Sequence, residues 1–226
     1  PRGRRRRPPL APLMGREPIR IITLSREYGA GGSELGVLLG KELGWPVLDR
    51  DLAHRLAERL RCASDDVLAN EERAPSFLER IAAAFTVVPS DAPILPDLNQ
   101  SPDPDTLVEA TRAVLREAVR TPPLVVIGHG ANCLLHDRRD VLRLRVTAPY
   151  PVRVKRVAQR TGQPEHEAAA DVRHRDADRR HYLDRYYRKD TNDPCLYDLQ
   201  INSATIPLET AARMVMLLVR GESART

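Results

Sequence analysis

At 226 residues, with 42% hydrophobic side chains and only 4% aromatic ones, the chain is long enough for one α/β domain, with or without an insertion. Its interior must be filled by Leu, Val, Ile and Ala. The formal charge of +5 invites nucleic acid, but Arg2, Arg4, Arg5, Arg6 and Arg7 account for all of it. The remaining body is balanced, so its charges are expected on solvated, ion-paired helix faces rather than in one basic groove.

The stretch 1–16 is rich in Arg and Pro and predicts a disordered basic tail. As an arm it would reach RNA, DNA or anionic lipid; the plainer expectation is a dispensable extension with Met14 as an alternative start, and nucleic acid is not an expected partner. No apolar stretch follows to form a secretory signal, and no later run reaches the length of a membrane span. Cys62, Cys133 and Cys195 are odd in number and scattered, which points to a reducing compartment and a cytoplasmic location. Cys133 and His136 have no second pair to complete a zinc site.

Ile19 to Leu24 reads as a largely buried strand, Ser25 to Ser33 as a glycine-rich turn, and the following residues as a helix with Leu35, Leu38, Leu39 and Leu43 on one face. A strand that feeds a helix through close glycines crowds backbone N–H groups around an anion, with the positive end of the helix dipole aimed at it. Against the phosphate-loop pattern G-x-x-x-x-G-K-[ST], Gly31 and Ser33 match, the latter as a hydroxyl for Mg²⁺. The lysine position is Gly32 and the leading glycine is Arg26. Such turns also serve to pack a helix close to a strand, and the pattern leaves that alternative open.

Gly44 stops this helix, and Pro46 to Asp49 predicts a short second strand. Asp49, Arg50 and Asp51 then lie beyond a strand's carboxyl end, where ligands of open α/β sheets sit. Asp51 is expected to cap a helix carrying Leu52, Leu56 and Leu60, while Asp49 stays open between capping and substrate. Short helices follow from Ser64, the clearest at Ser76 to Phe85. The Pro-rich stretch Val87 to Asp105 is either a mobile substrate flap or a disordered insertion.

Helical periodicity returns with Leu107, Thr111, Val114, Leu115 and Ala118. Leu124 to Ile127 has no polar alternation and predicts a central strand. It ends in a second glycine turn, Gly128-His129-Gly130-Ala131-Asn132, which opens a ligand cleft at the same sheet edge. Asn132 is placed to hydrogen-bond a base or to cap a helix from Ala131 to His136, and His129 is expected to be solvated.

Val141 to Val146 alternates as a fourth strand, and a helix with Arg153, Arg156 and Arg160 follows. A longer helix is predicted from about Glu165 through Tyr187. Its acids and arginines lie three or four residues apart, which would stabilise an exposed helix by tenths of a kcal/mol per pair. The alternative is an arginine clamp over transferring phosphates, Arg175 and Arg179 being one turn apart and able to reach one anion. Asp198 to Asn202 predicts the fifth strand. Leu208, Ala211, Ala212, Val215, Leu218 and Val219 form the apolar face of a closing helix. Strand and helix alternate throughout, which predicts a three-layer α/β fold, a parallel sheet with helices on both faces.

Ile22 to Gly32, then Val126 to Asn132, then Arg185-Tyr186-Tyr187 with Asp193 to Asn202, resemble the signature blocks of the cytidylate kinase-like family. The resemblance spans roughly Pro18 to Leu218. The family is similar to the nucleoside monophosphate kinases of the P-loop NTPase fold, which implies a five-stranded parallel sheet in a kinase domain over 17–222. It also implies a helical NMP-binding insertion at about 51–105 and an arginine-bearing lid at about 171–190. Ser25, Gly29, Ala30, Gly31, Gly32 and Ser33 would then cradle the donor phosphates, with Ser33 near Mg²⁺. Arg175, Arg179 and Arg185 would stabilise charge on the moving phosphoryl group, and Asp49, Gly128 and Asn132 would face the acceptor. ATP and Mg²⁺ are the implied cofactors, and a nucleoside monophosphate, CMP or dCMP first, the implied substrate. Arg26 is the candidate to replace the missing lysine. The competing expectation is a nucleotide-binding regulatory module without turnover.

Overall fold

The computed structural model describes residues 17–49 and 104–221. The basic tail, Arg50, Asp51, Cys62, the helices expected at Leu52 and Ser76, and all but the end of the Pro-rich stretch lie outside the described residues. In chain order the elements are β1 (Ile21–Arg26), α1 (Gly32–Leu43), β2 (Val47–Leu48), α2 (Pro104–Ala118), β3 (Leu124–Ile127), α3 (Ala131–Leu134), β4 (Val141–Thr147), α4 (Tyr150–Thr161), α5 (Glu165–Tyr187), a 3₁₀ turn (Pro194–Leu196), β5 (Leu199–Asn202) and α6 (Leu208–Arg220). The five strands form one sheet in the order β2-β3-β1-β4-β5, and every neighbouring pair is parallel. This is the five-stranded parallel α/β architecture expected from the alternation and the resemblance.

Period-two burial explains why both faces are covered. Ile21, Leu124 and Val126 turn to one face and pack with Val114 and Leu115 of α2. Ile22, Leu24, Val125 and Ile127 turn to the other and pack with Leu35 and Leu39 of α1 and Ala211 and Val215 of α6. The central strand thus carries buried side chains in both directions, and its carboxyl end opens between its neighbours β3 and β4.

The helix α1 lies close on the sheet because Gly32, Gly36 and Gly40, one turn apart, are all buried. A Cβ on Gly36 would collide with Ile127 and one on Gly40 with Val47. That four-residue glycine spacing is visible in the sequence and was not among the features read from it.

Two expectations need correction. β1 runs on to Arg26, two residues past Leu24, because Ser25 and Arg26 pair with Arg145 and Val146 of β4; a ladder partner over a hundred residues away decides where the strand stops. Leu218 was placed on the apolar face of α6 yet is 49% exposed. Ala211, Ala212 and Val215 provide the buried contact instead, with Leu208 and Val219 partly packed.

Candidate active site

The turn after β1 is a tight glycine loop. Gly29 and Gly31 sit at φ 81° and 82°, in the left-handed region where a side chain is strained. The loop closes on itself through Ala30 N–H donating to the Glu27 carbonyl at 3.2 Å, and the Ser203 hydroxyl donates to the Ala30 carbonyl at 2.6 Å. Gly31 is the N-cap of α1 and supplies no capping side chain. The first N–H groups of α1 therefore point out of the helix end beside the loop, an arrangement suited to an anion. Gly29 and Gly31 line a cavity of about 370 Å³ with Glu34, Arg156, Arg160 and Leu208.

A second cavity of about 560 Å³ opens at the carboxyl ends of β1, β3 and β4. Seven arginines line it: Arg26 from β1, Arg145 from β4, Arg153 from α4, and Arg175, Arg179, Arg180 and Arg185 from α5. The acids lining it are Glu27, Asp176 and Asp178. The expectation of ion-paired helix faces rather than one basic groove is corrected in its second half: a chain balanced in total still concentrates cations in one place, because four elements distant in sequence deliver them to one sheet edge.

Arg153 is the buried anchor of this arrangement, 7% exposed. It donates to the carbonyls of Ala148 (2.9 Å) and Tyr28 (3.1 Å) and to Asp176 Oδ2 (2.5 Å), and Glu27 Oε2 lies 3.4 Å away. Asp176 in turn accepts the Tyr28 N–H at 2.9 Å, which ties α5 to the glycine loop. The Tyr28 ring lies beneath the guanidinium groups of Arg160, Arg175 and Arg179, at 5.3, 5.6 and 5.7 Å. Arg179 also donates to the Arg26 carbonyl at 3.2 Å. Arg175 and Arg179 thus end on the same loop residue.

Arg185 sits at the rim and binds Asp105 at 2.8 and 2.9 Å, with the Tyr186 hydroxyl donating to the same carboxylate at 2.6 Å. The Tyr186 hydrogen bond, then Arg185, holds the Asp105 carboxyl below its ordinary value. Arg112 of α2 lies over the Tyr187 ring at 4.7 Å and donates to the Tyr186 carbonyl at 2.8 Å, so the end of α5 is fastened to α2. Burial pushes the Tyr182 hydroxyl well above its ordinary value, which keeps it protonated.

The remaining sequence-predicted residues fall in different places. Gly128 lines the arginine cavity beside Arg26. Ser25 lines it too, and its hydroxyl lies 3.2 Å from Asn132 Oδ1. Asn132 itself is 2% exposed, is not among the residues lining either cavity, and leaves the capping of α3 to Gly130. That helix ends at Leu134, short of His136. Ala30 and Gly32 are buried, and Ser33 is exposed in the first turn of α1. Asp49 is half-buried just past β2 and is not among the residues lining either cavity.

His129, expected in solvent, is half-buried at φ 58° and lines the arginine cavity. Its carbonyl accepts the Tyr187 hydroxyl at 3.2 Å, so the aromatic end of α5 pulls the turn inward.

Sequence reasoning missed Tyr28, Asp176, Arg145 and Arg153 as a set. Arg145 lies on the polar side of the alternating strand β4, yet it is buried over the Tyr197 ring at 5.3 Å and bonds the Thr191 carbonyl and Asn192. A bulky Glu27-Tyr28 pair inside a glycine turn was the one local signal that the loop has side-chain partners.

Mg²⁺ keeps several waters and takes few protein oxygens when phosphates supply the rest. Ser33 places an exposed hydroxyl of that kind at the head of α1, and among the described residues no group of three His, Cys, Asp or Glu is placed to hold a metal. No described helix is long and apolar enough to cross a membrane.

The model of the cytidylate kinase-like family matches residues 21–205, a span that holds the glycine loop, the second glycine turn from Gly128 to Asn132 and the whole of α5. The chain belongs to the cytidylate kinase-like family. A cytidylate kinase of Desulfurococcus amylolyticus is 32% identical over 117 residues, which cover 52% of this chain and 63% of that kinase. The chain therefore spans a little under two thirds of that relative. A cytidylate kinase of Haloarcula marismortui is 31% identical over 188 residues, 81% of each chain. The crystal structure of an uncharacterized protein from Eubacterium ventriosum shares the fold of this family member, with a TM-score of 0.67 at 17% identity over 90% of this chain and 99% of that one.

Proposed function

We propose that the protein transfers a phosphoryl group from ATP to the phosphate of a nucleoside monophosphate, with CMP or dCMP as the preferred acceptor. The observation that carries this reading is the convergence of arginines from β1, β4, α4 and α5 beside an uncapped helix N-terminus and a glycine loop. Phosphoryl transfer asks a protein for position and charge neutralisation rather than a covalent residue, and those are what this arrangement supplies. The cytosine preference is supported by the cytidylate kinases to which the chain is similar.

In this reading the backbone from Gly29 to Ser33 holds the donor phosphates and Ser33 contributes to Mg²⁺, which when bound screens charge between the phosphates. Arg26, Arg175 and Arg179 neutralise charge on the transferring group, Arg185 serves from the rim, and Ser25, Gly128, Asn132 and Asp49 shape or flank the acceptor side. The helix α5 acts as the arginine-bearing lid, and the segment about 51–105 as the acceptor-binding insertion.

Coupled ADP release across a panel of NMPs and dNMPs tests the reading, with the cytidine nucleotides expected to turn over fastest. Gly32 at the lysine position favours a second reading, a nucleotide-binding module without turnover. Tight ATP binding with no acceptor-dependent ADP release would establish that second reading and remove the first.

A further inference from the structure

The two positions at which the glycine loop departs from the G-x-x-x-x-G-K-[ST] pattern are 26 and 32, and in the folded chain these two residues touch. At one a side chain has been added, at the other it has been deleted. A Cβ on Gly32 would collide first with the Cβ of Arg26 and lie 3.1 Å from its Cγ, with a methyl of Leu24 at 3.0 Å. Cβ and Cγ are the root of the arginine, where it cannot swing aside: Arg26 is the last residue of β1, in register with Val146, and its carbonyl is held by Arg179. The far end is confined as well. A Cβ on Gly128 would run into Arg26 Nη1, with Cζ at 3.5 Å. The stem thus crosses the head of α1 and the guanidinium lodges against the β3 turn, on the wall of the arginine-lined cavity.

We infer that Arg26 and Gly32 are a coupled exchange, in which the loop's cation is carried at the end of β1 and the bare Cα of Gly32 makes the room for it. The inference rests on the phosphoryl-transfer reading for the role of the charge, but not for the steric coupling. The exchange also changes the chemistry. A lysine ammonium is a point charge on a flexible stem, whereas this guanidinium is a planar fork whose direction is set by packing, and it can take two phosphate oxygens at once. Gly32 is a positioning residue here and Arg26 the group that meets phosphate.

A double-mutant cycle on the full chain tests this, using Arg26→Gly, Gly32→Lys and the two combined. Affinity for a non-hydrolysable ATP analogue with Mg²⁺, and kcat, are read for each. Each single substitution should lower analogue affinity or kcat by about 100-fold, the size of a lost preorganised charge contact. The double variant should recover at least tenfold over the worse single. Losses that simply multiply, with no recovery, would overturn the coupling.

Because Gly32→Lys alone could unfold the helix head, Gly32→Ala serves as a second probe, read by thermal unfolding. Beside Arg26 it should lower Tm by about 2–4 °C or more, and in the Arg26→Gly background, where the Leu24 methyl is left at 3.0 Å, by clearly less. An equal loss in both backgrounds would overturn the steric half of the inference without any reference to activity. A wild-type chain that binds neither the analogue nor CMP would instead overturn the phosphoryl-transfer reading, and with it the role given to the Arg26 charge.

Discussion

The helices α1 and α5 meet the same glycine loop and are held in place by different physics. Five of the 12 residues of α1 are buried, and they lie on the sheet through Leu35, Leu39 and three glycines. Of the 23 residues of α5 only Ala168, Val172 and Leu183 are buried, and an apolar seam with Val154 and Val157 of α4 is its main dry contact. Leu183, Tyr182 and Tyr187 at its end join a second, smaller apolar cluster with Cys133, Leu196 and Tyr197. Polar contacts fasten the stretch between and the rim: Asp176 to Arg153, Arg179 to the Arg26 carbonyl, Arg185 to Asp105. The element that would grip phosphate is therefore rigid, while the element that brings most of the cations is attached by contacts that charge, salt and ligand can remodel.

The comparison breaks first at its apolar side. Leu39→Ala, at a fully buried position of α1, should destabilise the chain by about 3 kcal/mol or more by opening a cavity against the sheet, as read from urea unfolding. A loss below about 1 kcal/mol would mean that α1 is not held by burial.

The next largest effect should come from Asp176→Ala. It leaves Arg153 buried without its closest counter-ion and should cost about 3 kcal/mol, at the low end for a broken buried pair because Glu27 still faces Arg153 at 3.4 Å. Unlike Leu39→Ala, it should raise hydrogen exchange in α5 more than in α1.

Arg179→Ala separates function from stability. Its side chain is 31% exposed, so stability should move by less than about 1 kcal/mol, while kcat/KM for CMP should fall about 100-fold. Unchanged turnover would take Arg179 out of the machinery.

The smallest effect belongs to Asp105. Its folded pKa is depressed, chiefly by the Tyr186 hydroxyl and then by Arg185, so its stabilising contribution is present above the ordinary value of 3.8 and is lost as pH falls through the lower folded value. Asp105→Asn should lower Tm slightly at neutral pH, and the difference from wild type should vanish in acid. A difference that persists there would assign the effect to packing rather than charge.

Much of this comparison was legible in the chain. The unbroken run Leu124 to Ile127 announced a strand covered on both faces, and the uninterrupted helical run between Pro164 and Arg188 set the length of α5. The glycine loop was legible because φ near 80° demands glycine there. What was hidden depends on neighbours far away in sequence. Arg145 lies on the polar side of an alternating strand, yet Tyr197 and the Thr191 carbonyl cover it. Asn132 looked available to a base until Ser25 and the fold closed over it. His129 looked solvated until the end of α5 reached it.

By itself the sequence determined the alternation of strand and helix, the position of the glycine loop and the supply of arginines on α5, because periodicity and positive φ are local demands on local residues. Only the tertiary structure decided that β1 runs on to Arg26, that Gly32 lies beneath its stem, and that seven arginines from four elements share one cavity. Those facts depend on which strands lie side by side at their carboxyl ends, a relation between residues as much as a hundred and fifty positions apart that no local pattern encodes.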